Sequence, residues 1–264
     1  YKKLIDTDSE SDGEEWGCWE TYWQCFAEIP ALFRLSESAY ALSIIIEQLP
    51  ALMKQYKEKD KIERLYLMRI DIYDQFVSSW FERRAMKVLA QNNCIVKGKH
   101  KTKKGLVGAF RRFSEQLAAK MLQRNERMAV CAGSGARGLY HHQDPWWQFF
   151  WDDSEPDLTI MRSACPIREA GNNCFVFIHD TLREYFGAKQ LFSSSVYKYE
   201  VSSNFDLNCA LIKDAGTLEF LAEQIQKNPH ELELLYRIID ESRSESRLTC
   251  AAANAITIMV RANI

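Results

Sequence analysis

The sequence lacks several features that mark common classes of protein. No apolar stretch approaches the 18 residues of a membrane-spanning helix. The chain has 34 lysines and arginines against 36 aspartates and glutamates, so it has none of the basic excess of a general nucleic-acid or membrane-surface binder. We therefore expect neither a membrane nor a nucleic acid as partner.

The cysteines lack the spacing of a metal or redox site. None of the eight forms a Cys-x-x-Cys pair, and His141-His142 has no ligand spacing to the nearest of them. Scattered single cysteines on apolar faces are typical of reduced, buried thiols in an intracellular protein. The sequence thus predicts no metal site, and we expect a cytoplasmic protein.

Catalytic motifs are also missing. The chain contains no Gly-x-x-x-x-Gly-Lys-Ser/Thr loop, no Gly-x-Ser-x-Gly elbow and no His-Glu-x-x-His helix. Residues 133–138 are glycine-rich but lack the P-loop ending, so we interpret them as a connector. The string Leu234 to Glu241 superficially resembles a Walker B strand, but Arg237 interrupts its apolar run and a helix is favoured. We predict that the chain is not an enzyme, has no catalytic residue and holds no cofactor by itself.

Helical periodicity dominates what is present. Leu35 to Leu49 repeats apolar residues near every 3.6 positions, and Pro50 is predicted to end that helix. The longest candidate helix spans about 62–89, with Trp80 expected to be buried, and a second amphipathic helix spans Leu106 to Met128.

Shorter elements follow. The aromatic cluster of residues 146–151 is interpreted as a short core helix rather than an exposed binding surface. Leu158 to Cys165 has a helical pattern. Three further short helices are predicted after about Asp206, separated by Gly216, Pro229 and the Ser/Arg run 242–247.

A hairpin and a helix precede that last third. Gly171 begins a predicted tight turn, and Cys174 to Ile178 form a strand that pairs with a strand carrying Arg168. His179 then stands before a helix predicted to run to Phe192, with Asp180 or Thr181 as its N-cap. A histidine at a helix N-terminus suits a hydrogen bond to a phosphate. The alternative is a histidine that only packs the fold.

Four segments together resemble one protein family. Phe177 to Lys189 resembles the winged-helix signature of NACHT-type (STAND class) signalling NTPases, Phe-x-His-x-Ser/Thr-x-x-Glu-Tyr-Phe-x-Ala. Trp19 to Leu49 is similar to their first helical domain. Ile72 to Arg83 resembles a helix of large fungal and invertebrate NACHT proteins, and Ala251 to Ala262 resembles the helix before their pentapeptide or WD-type repeats. The resemblance covers about residues 20–262.

The resemblance implies a regulatory role. ADP or ATP with Mg²⁺ would bind a longer parent ATPase, between an upstream P-loop domain and this module, with His179 facing the β-phosphate. The module would close over ADP at rest and swing away on activation. Implied partners are the upstream P-loop domain, the downstream repeats and other copies of the activated chain. Because the sequence begins at Tyr1 rather than a methionine, we expect it to be an internal segment.

One position departs from the family pattern. The family's first helical domain carries Asn-Pro, with the proline near the adenine, whereas Ser38-Ala39 stands here. This departure favours the alternative of a helical protein-interaction scaffold that has lost nucleotide sensing. A third reading is DNA binding through the winged helix, but the helix after the hairpin offers only Arg183 and Lys189 beside Asp180 and Glu184.

The predicted fold class is mainly α: a helical bundle, a small winged-helix unit with a short β-hairpin, and a second helical bundle. The predicted divisions are an acidic linker at 1–15, a first helical domain at 16–60, a winged-helix region with flanking helices at 61–200, and a second helical domain at 201–264.

Overall fold

The computed structural model describes residues 18–29, 32–33, 36, 38–57, 67–90, 102–130, 146–150, 158–171, 174–193, 205 and 211–264. They belong to two compact units, of which the first ends at Trp80 and the second begins at Phe81. The linker 1–15, the glycine-rich segment 133–138 and His141-His142 lie outside the described residues, as do the predicted divisions near 60 and 200.

The first unit is helical. Its described elements are α1 (Trp19–Glu28), α2 (Ala39–Lys57) and the first part of α3 (Arg69–Ala90). Its buried apolar side chains come from all three helices and from the residues that flank them. They are Cys25, Phe26, Ile29, Leu32, Leu42, Ile44, Ile45, Leu49, Leu52, Met53, Leu67, Ile70, Ile72, Tyr73, Phe76 and Val77.

Helix α2 continues through Pro50 to Lys57, so the prediction that Pro50 ends it is wrong. A proline inside a helix removes one backbone hydrogen bond and costs about 3 kcal/mol. Leu49, Leu52 and Met53 around it are all buried, and each such side chain contributes about 1.5–3 kcal/mol when it leaves water. Packing around the proline therefore offsets the lost hydrogen bond.

Trp80, near the middle of α3, is half-buried rather than fully buried. Its ring lies 6.0 Å from the ring of Phe76, measured between centroids. Trp80 therefore lies at the margin of the buried face of α3, and the prediction that it is buried holds only in part.

The second unit combines helices with a small antiparallel sheet. In chain order it has α4 (Lys103–Arg124), β1 (Ala129–Val130), α5 (Trp147–Phe150), α6 (Leu158–Ala164) and a hairpin of two further strands. The cluster near 146 does form a short helix, and the described side chains of Trp146, Phe149 and Phe150 are buried.

The sheet has three antiparallel strands in the order β1-β3-β2, where β2 is Ile167–Glu169 and β3 is Cys174–Phe177. Arg168 lies on the partner strand, as predicted, and its partner in the register is Val176. Gly171 in the connecting turn has a φ of +90°, in the region that glycine adopts without strain.

Helix α4 ends four residues earlier than predicted, at Arg124 rather than Met128. Asn125 takes a left-handed conformation, with a φ of 55°, and its N–H donates to carbonyls of the last turn. This is a common way for a helix to stop, with asparagine in place of the usual glycine. After this turn the chain continues into β1.

Helix α7 (Asp180–Ser193) packs against α4 and against the first helix of the C-terminal helical layer. That layer consists of α8 (Ala215–Lys227), α9 (Pro229–Glu241) and α10 (Thr249–Arg261). Three short helices were predicted here, and Leu234 to Glu241 is helical as expected.

Aromatic rings connect these elements through α7. Phe186 lies 6.0 Å from Phe81 and 5.8 Å from Phe177, while Tyr185 lies 5.6 Å from Phe220 of α8. Such pairs add about 0.5–1.5 kcal/mol each beyond the area they bury. Among the described residues, no helix combines the length and apolar character that crossing a membrane requires.

Candidate functional site

His179 lies between the end of β3 and the start of α7. The backbone N–H of Ile178 donates to the carbonyl of Pro166 at 2.9 Å, and the N–H of Leu182 donates to the carbonyl of His179 at 3.1 Å. The first of these bonds holds the end of the hairpin, and the second begins the helix. The position is the one that the sequence predicted for this residue.

The His179 ring caps the helix that follows it. The backbone N–H of Thr181 donates to Nδ1 at 3.3 Å, and the Thr181 hydroxyl lies 2.9 Å from the same nitrogen. A helix leaves its first N–H groups without internal partners, and a capping side chain usually accepts one of them. His179 fills this role, so the prediction that Asp180 or Thr181 is the N-cap is wrong.

This geometry defines the state of the ring. Because Nδ1 accepts a backbone N–H, it carries the lone pair, and the proton of the neutral ring is on Nε2. Burial lowers the pKa of His179 below its ordinary value, and the negative charge of Asp180 opposes that shift. The ring is therefore neutral at pH 7, and its N–H is on the nitrogen that does not cap the helix.

Arg183, one turn further along α7, is a buried cation. Its side chain is 4% exposed. Nε donates to Asp180 at 2.7 Å, and one terminal nitrogen donates to Asp214 at 2.9 Å. Burial alone would lower the pKa of Arg183, but the hydrogen bonds to the two carboxylates raise it above its ordinary value. The guanidinium stays charged.

The two carboxylates connect Arg183 to different parts of the unit. Asp180 is the first residue of α7, and its other oxygen lies 3.3 Å from Arg127, just after α4. Asp214 is the N-cap of α8, where its second oxygen accepts the N–H of Thr217 at 3.3 Å. Arg183 therefore joins the start of α7 to the start of α8.

A second contact reinforces this junction. Gly216 lies in the first turn of α8, not between helices as predicted, and a Cβ placed there would overlap the carboxylate of Glu184. Glu184 also lies 3.9 Å from Arg183. The carboxylate thus lies against the N-terminus of α8, where the helix dipole favours negative charge.

These contacts weaken the DNA-binding reading. Arg183 is enclosed by carboxylates, and the Lys189 ammonium lies 5.6 Å from the centre of the Tyr185 ring. The helix that precedes the hairpin, α6, carries one basic residue, Arg162. Arg162 donates to the carbonyl of Phe150 and to Thr159.

An open groove lies on the side of the unit that carries Arg127. It has a volume of about 420 Å³ and is lined by Arg124, Glu126, Arg127, Met128, Val130 and Trp146. His179 is not among its lining residues. Within the described part of the chain, no three histidine, cysteine or acidic side chains cluster in a way that could hold a metal ion.

The sequence singled out His179 but missed its surroundings. The spacing of Asp180 and Arg183 on one helix could have suggested their ion pair, because residues three apart on a helix are neighbours. Asp214 is 31 residues downstream of Arg183, and no local pattern connects them.

No protein-family model matches the chain, and no curated protein or solved structure is significantly similar to it.

Proposed function

We propose that this chain is a regulatory module of a NACHT-type signalling NTPase, which closes over ADP or ATP bound by an upstream P-loop domain. It contributes to autoinhibition and signal transduction in a cytoplasmic parent protein and is not itself an enzyme. In this role His179 is the one nucleotide-binding residue of the chain, and it donates a hydrogen bond to the β-phosphate. Mg²⁺ and the triphosphate site belong to the parent.

The state of the His179 ring supports this proposal most directly. A neutral imidazole protonated on Nε2 is a donor without a net charge, fixed in orientation by the bond between Nδ1 and the Thr181 N–H. It lies at the N-terminus of a helix of 14 residues, a place that favours anions. A phosphate fits both features. The order of helical bundle, winged helix and helical layer also agrees with the resemblance.

The test is ADP affinity in a longer chain that includes the upstream P-loop domain. His179→Ser removes the ring but keeps a side chain suited to capping. We expect ADP to bind about 10- to 150-fold more weakly, which corresponds to the loss of one hydrogen bond to a charged phosphate, about 1.5–3 kcal/mol. Signalling without stimulus should rise, because the closed state loses part of its stabilisation.

His230→Ser is the matched control. His230 is on α9, its side chain is 72% exposed, and it lies 3.8 Å from Glu233. We expect this variant to bind ADP as the wild type does. Unchanged ADP affinity in His179→Ser, together with a melting temperature that falls in His179→Leu, would mean that the ring serves only as a helix cap, and the proposal would be wrong.

A second candidate is a helical interaction scaffold without nucleotide sensing. Trp19, Trp23 and Phe33 in the first unit are all exposed, at 42%, 57% and 44%, and exposed aromatic side chains are enriched at protein interfaces. Ala39 at the position of the family proline favours the same reading. No measurable binding of ADP to the longer chain, wild type included, would favour this candidate.

A further inference from the structure

We propose that Arg183 and Asp214 are positioning residues for the His179 ring, so that the C-terminal helical layer regulates the phosphate contact. This inference rests on the proposed function and adds a route by which other parts of the protein control that site. The route runs from α8 through Asp214 and Arg183 to the first turn of α7.

The first step is the attachment of Asp214. One carboxylate oxygen accepts the N–H of Thr217 as the cap of α8, and the other accepts from Arg183 at 2.9 Å. Both oxygens are thus engaged, one with each helix. A displacement of α8 moves this carboxylate, because one of its oxygens is bonded to the backbone of α8.

The second step runs along α7. Arg183 donates through Nε to Asp180 at 2.7 Å while it holds Asp214. Asp180 follows His179 directly. Arg183 is four residues after His179, and residues four apart are neighbours on one helix face. Thr181, which donates to the His179 ring, lies between them. The orientation of the ring therefore depends on a turn that Arg183 holds.

Burial reduces the solvent screening of the ion pair between Arg183 and Asp214. The side chain of Arg183 is 4% exposed and that of Asp214 is 16% exposed, so solvent screens their attraction less than that of a surface pair. The described chain offers a contrast in the same helical layer. Arg243 and Asp240 form a pair with side chains 81% and 69% exposed, of the kind that contributes little.

The test uses the ¹⁵N-labelled 264-residue chain and two local measurements: the ring nitrogen shifts of His179 and the hydrogen-exchange rate of the Thr181 amide. In Asp214→Asn we expect a mixture of ring tautomers and Thr181 exchange about tenfold faster or more, since local opening controls exchange. Asp240→Asn, the matched control, should leave both at wild-type values. A folded Asp214→Asn with an unchanged ring and unchanged exchange would overturn the inference.

If Asp214→Asn does not fold, Arg183→Lys tests the positioning role instead. Lysine keeps the buried positive charge but lacks the planar guanidinium group, which can bond to Asp180 and Asp214 at the same time. We expect Thr181 exchange to rise in this variant while amides of α10 keep their wild-type rates. Wild-type exchange at Thr181 would overturn the inference.

ADP affinity in the longer chain separates this inference from the proposed function. If Asp214→Asn disturbs the ring and weakens ADP binding as His179→Ser does, both are supported. If the ring is disturbed but neither variant changes ADP affinity, the proposed function fails and the positioning role stands. If His179→Ser weakens ADP binding but Asp214→Asn and Arg183→Lys leave the ring and the affinity unchanged, only the positioning role fails.

Discussion

Gly216 shows how a single residue permits the approach of two helices. A side chain at this position would overlap the Glu184 carboxylate, which lies against the first turn of α8. Gly108 in α4 has no such neighbour, since a Cβ there would lie 3.5 Å from the nearest atom, in Arg112. The same substitution should therefore have opposite effects at the two glycines.

We expect Gly216→Ala to lower the free energy of unfolding by about 1 kcal/mol, because Glu184 must leave its place at the helix N-terminus. Gly108→Ala should raise it by about 0.5–1 kcal/mol, since alanine loses less backbone entropy in a helix. Urea denaturation of both variants gives the two values. In a Glu184→Ala background the cost of Gly216→Ala should disappear, and a cost that persists there would contradict this explanation.

At the scale of an element, the start of α2 is the place where the chain differs from the family it resembles. The side chain of Ser38 accepts the N–H of Ala41 at 3.0 Å, and Ala39 is the first helical residue. Serine and asparagine both cap helices well, and proline is favoured at the first helical position. Ser38-Ala39 thus keeps the local geometry that Asn-Pro would have.

Ala39→Pro should therefore be tolerated and should raise the free energy of unfolding by about 0.4–1 kcal/mol, because proline restricts the unfolded chain. Ala41→Pro is the matched control. It removes the N–H that Ser38 accepts, so we expect a loss of about 0.5–2 kcal/mol. Thermal unfolding of the two variants distinguishes these effects. Destabilisation by Ala39→Pro would contradict the assignment of Ala39 as the first helical residue after the Ser38 cap.

At the scale of the whole molecule, buried and partly buried polar groups of the described residues join one element to another. The ion pairs around α7 hold helices in place, and the Ser114 hydroxyl donates to the buried thiol of Cys165 at 3.2 Å. Burial raises the pKa of that thiol to about 12, so it stays protonated and unreactive at neutral pH.

The purified 264-residue chain should show no ATP hydrolysis above background, because its sequence offers no P-loop to hold a triphosphate and Mg²⁺. Phosphate release, measured beside a known P-loop ATPase, checks this. A trace contaminant would give equal rates in the wild type and in His179→Ser. Turnover that follows the protein through purification and disappears with one substitution in this chain would refute the prediction.

The sequence by itself determined most of the secondary structure and the location of the candidate site. Helical periodicity and the turn at Gly171 act within one element, so α4, the hairpin and the three C-terminal helices could be predicted from neighbouring residues. His179 could be found because a strand and a helix meet at it.

Tertiary structure decided the rest. Pro50 lies within a helix because side chains around it are buried, and burial depends on packing partners that a local pattern does not contain. The capping role of His179 depends on the orientation of its ring. Arg183 meets Asp214 across 31 residues of sequence, and only the packing of α8 against α7 brings these charges together in a place with little water.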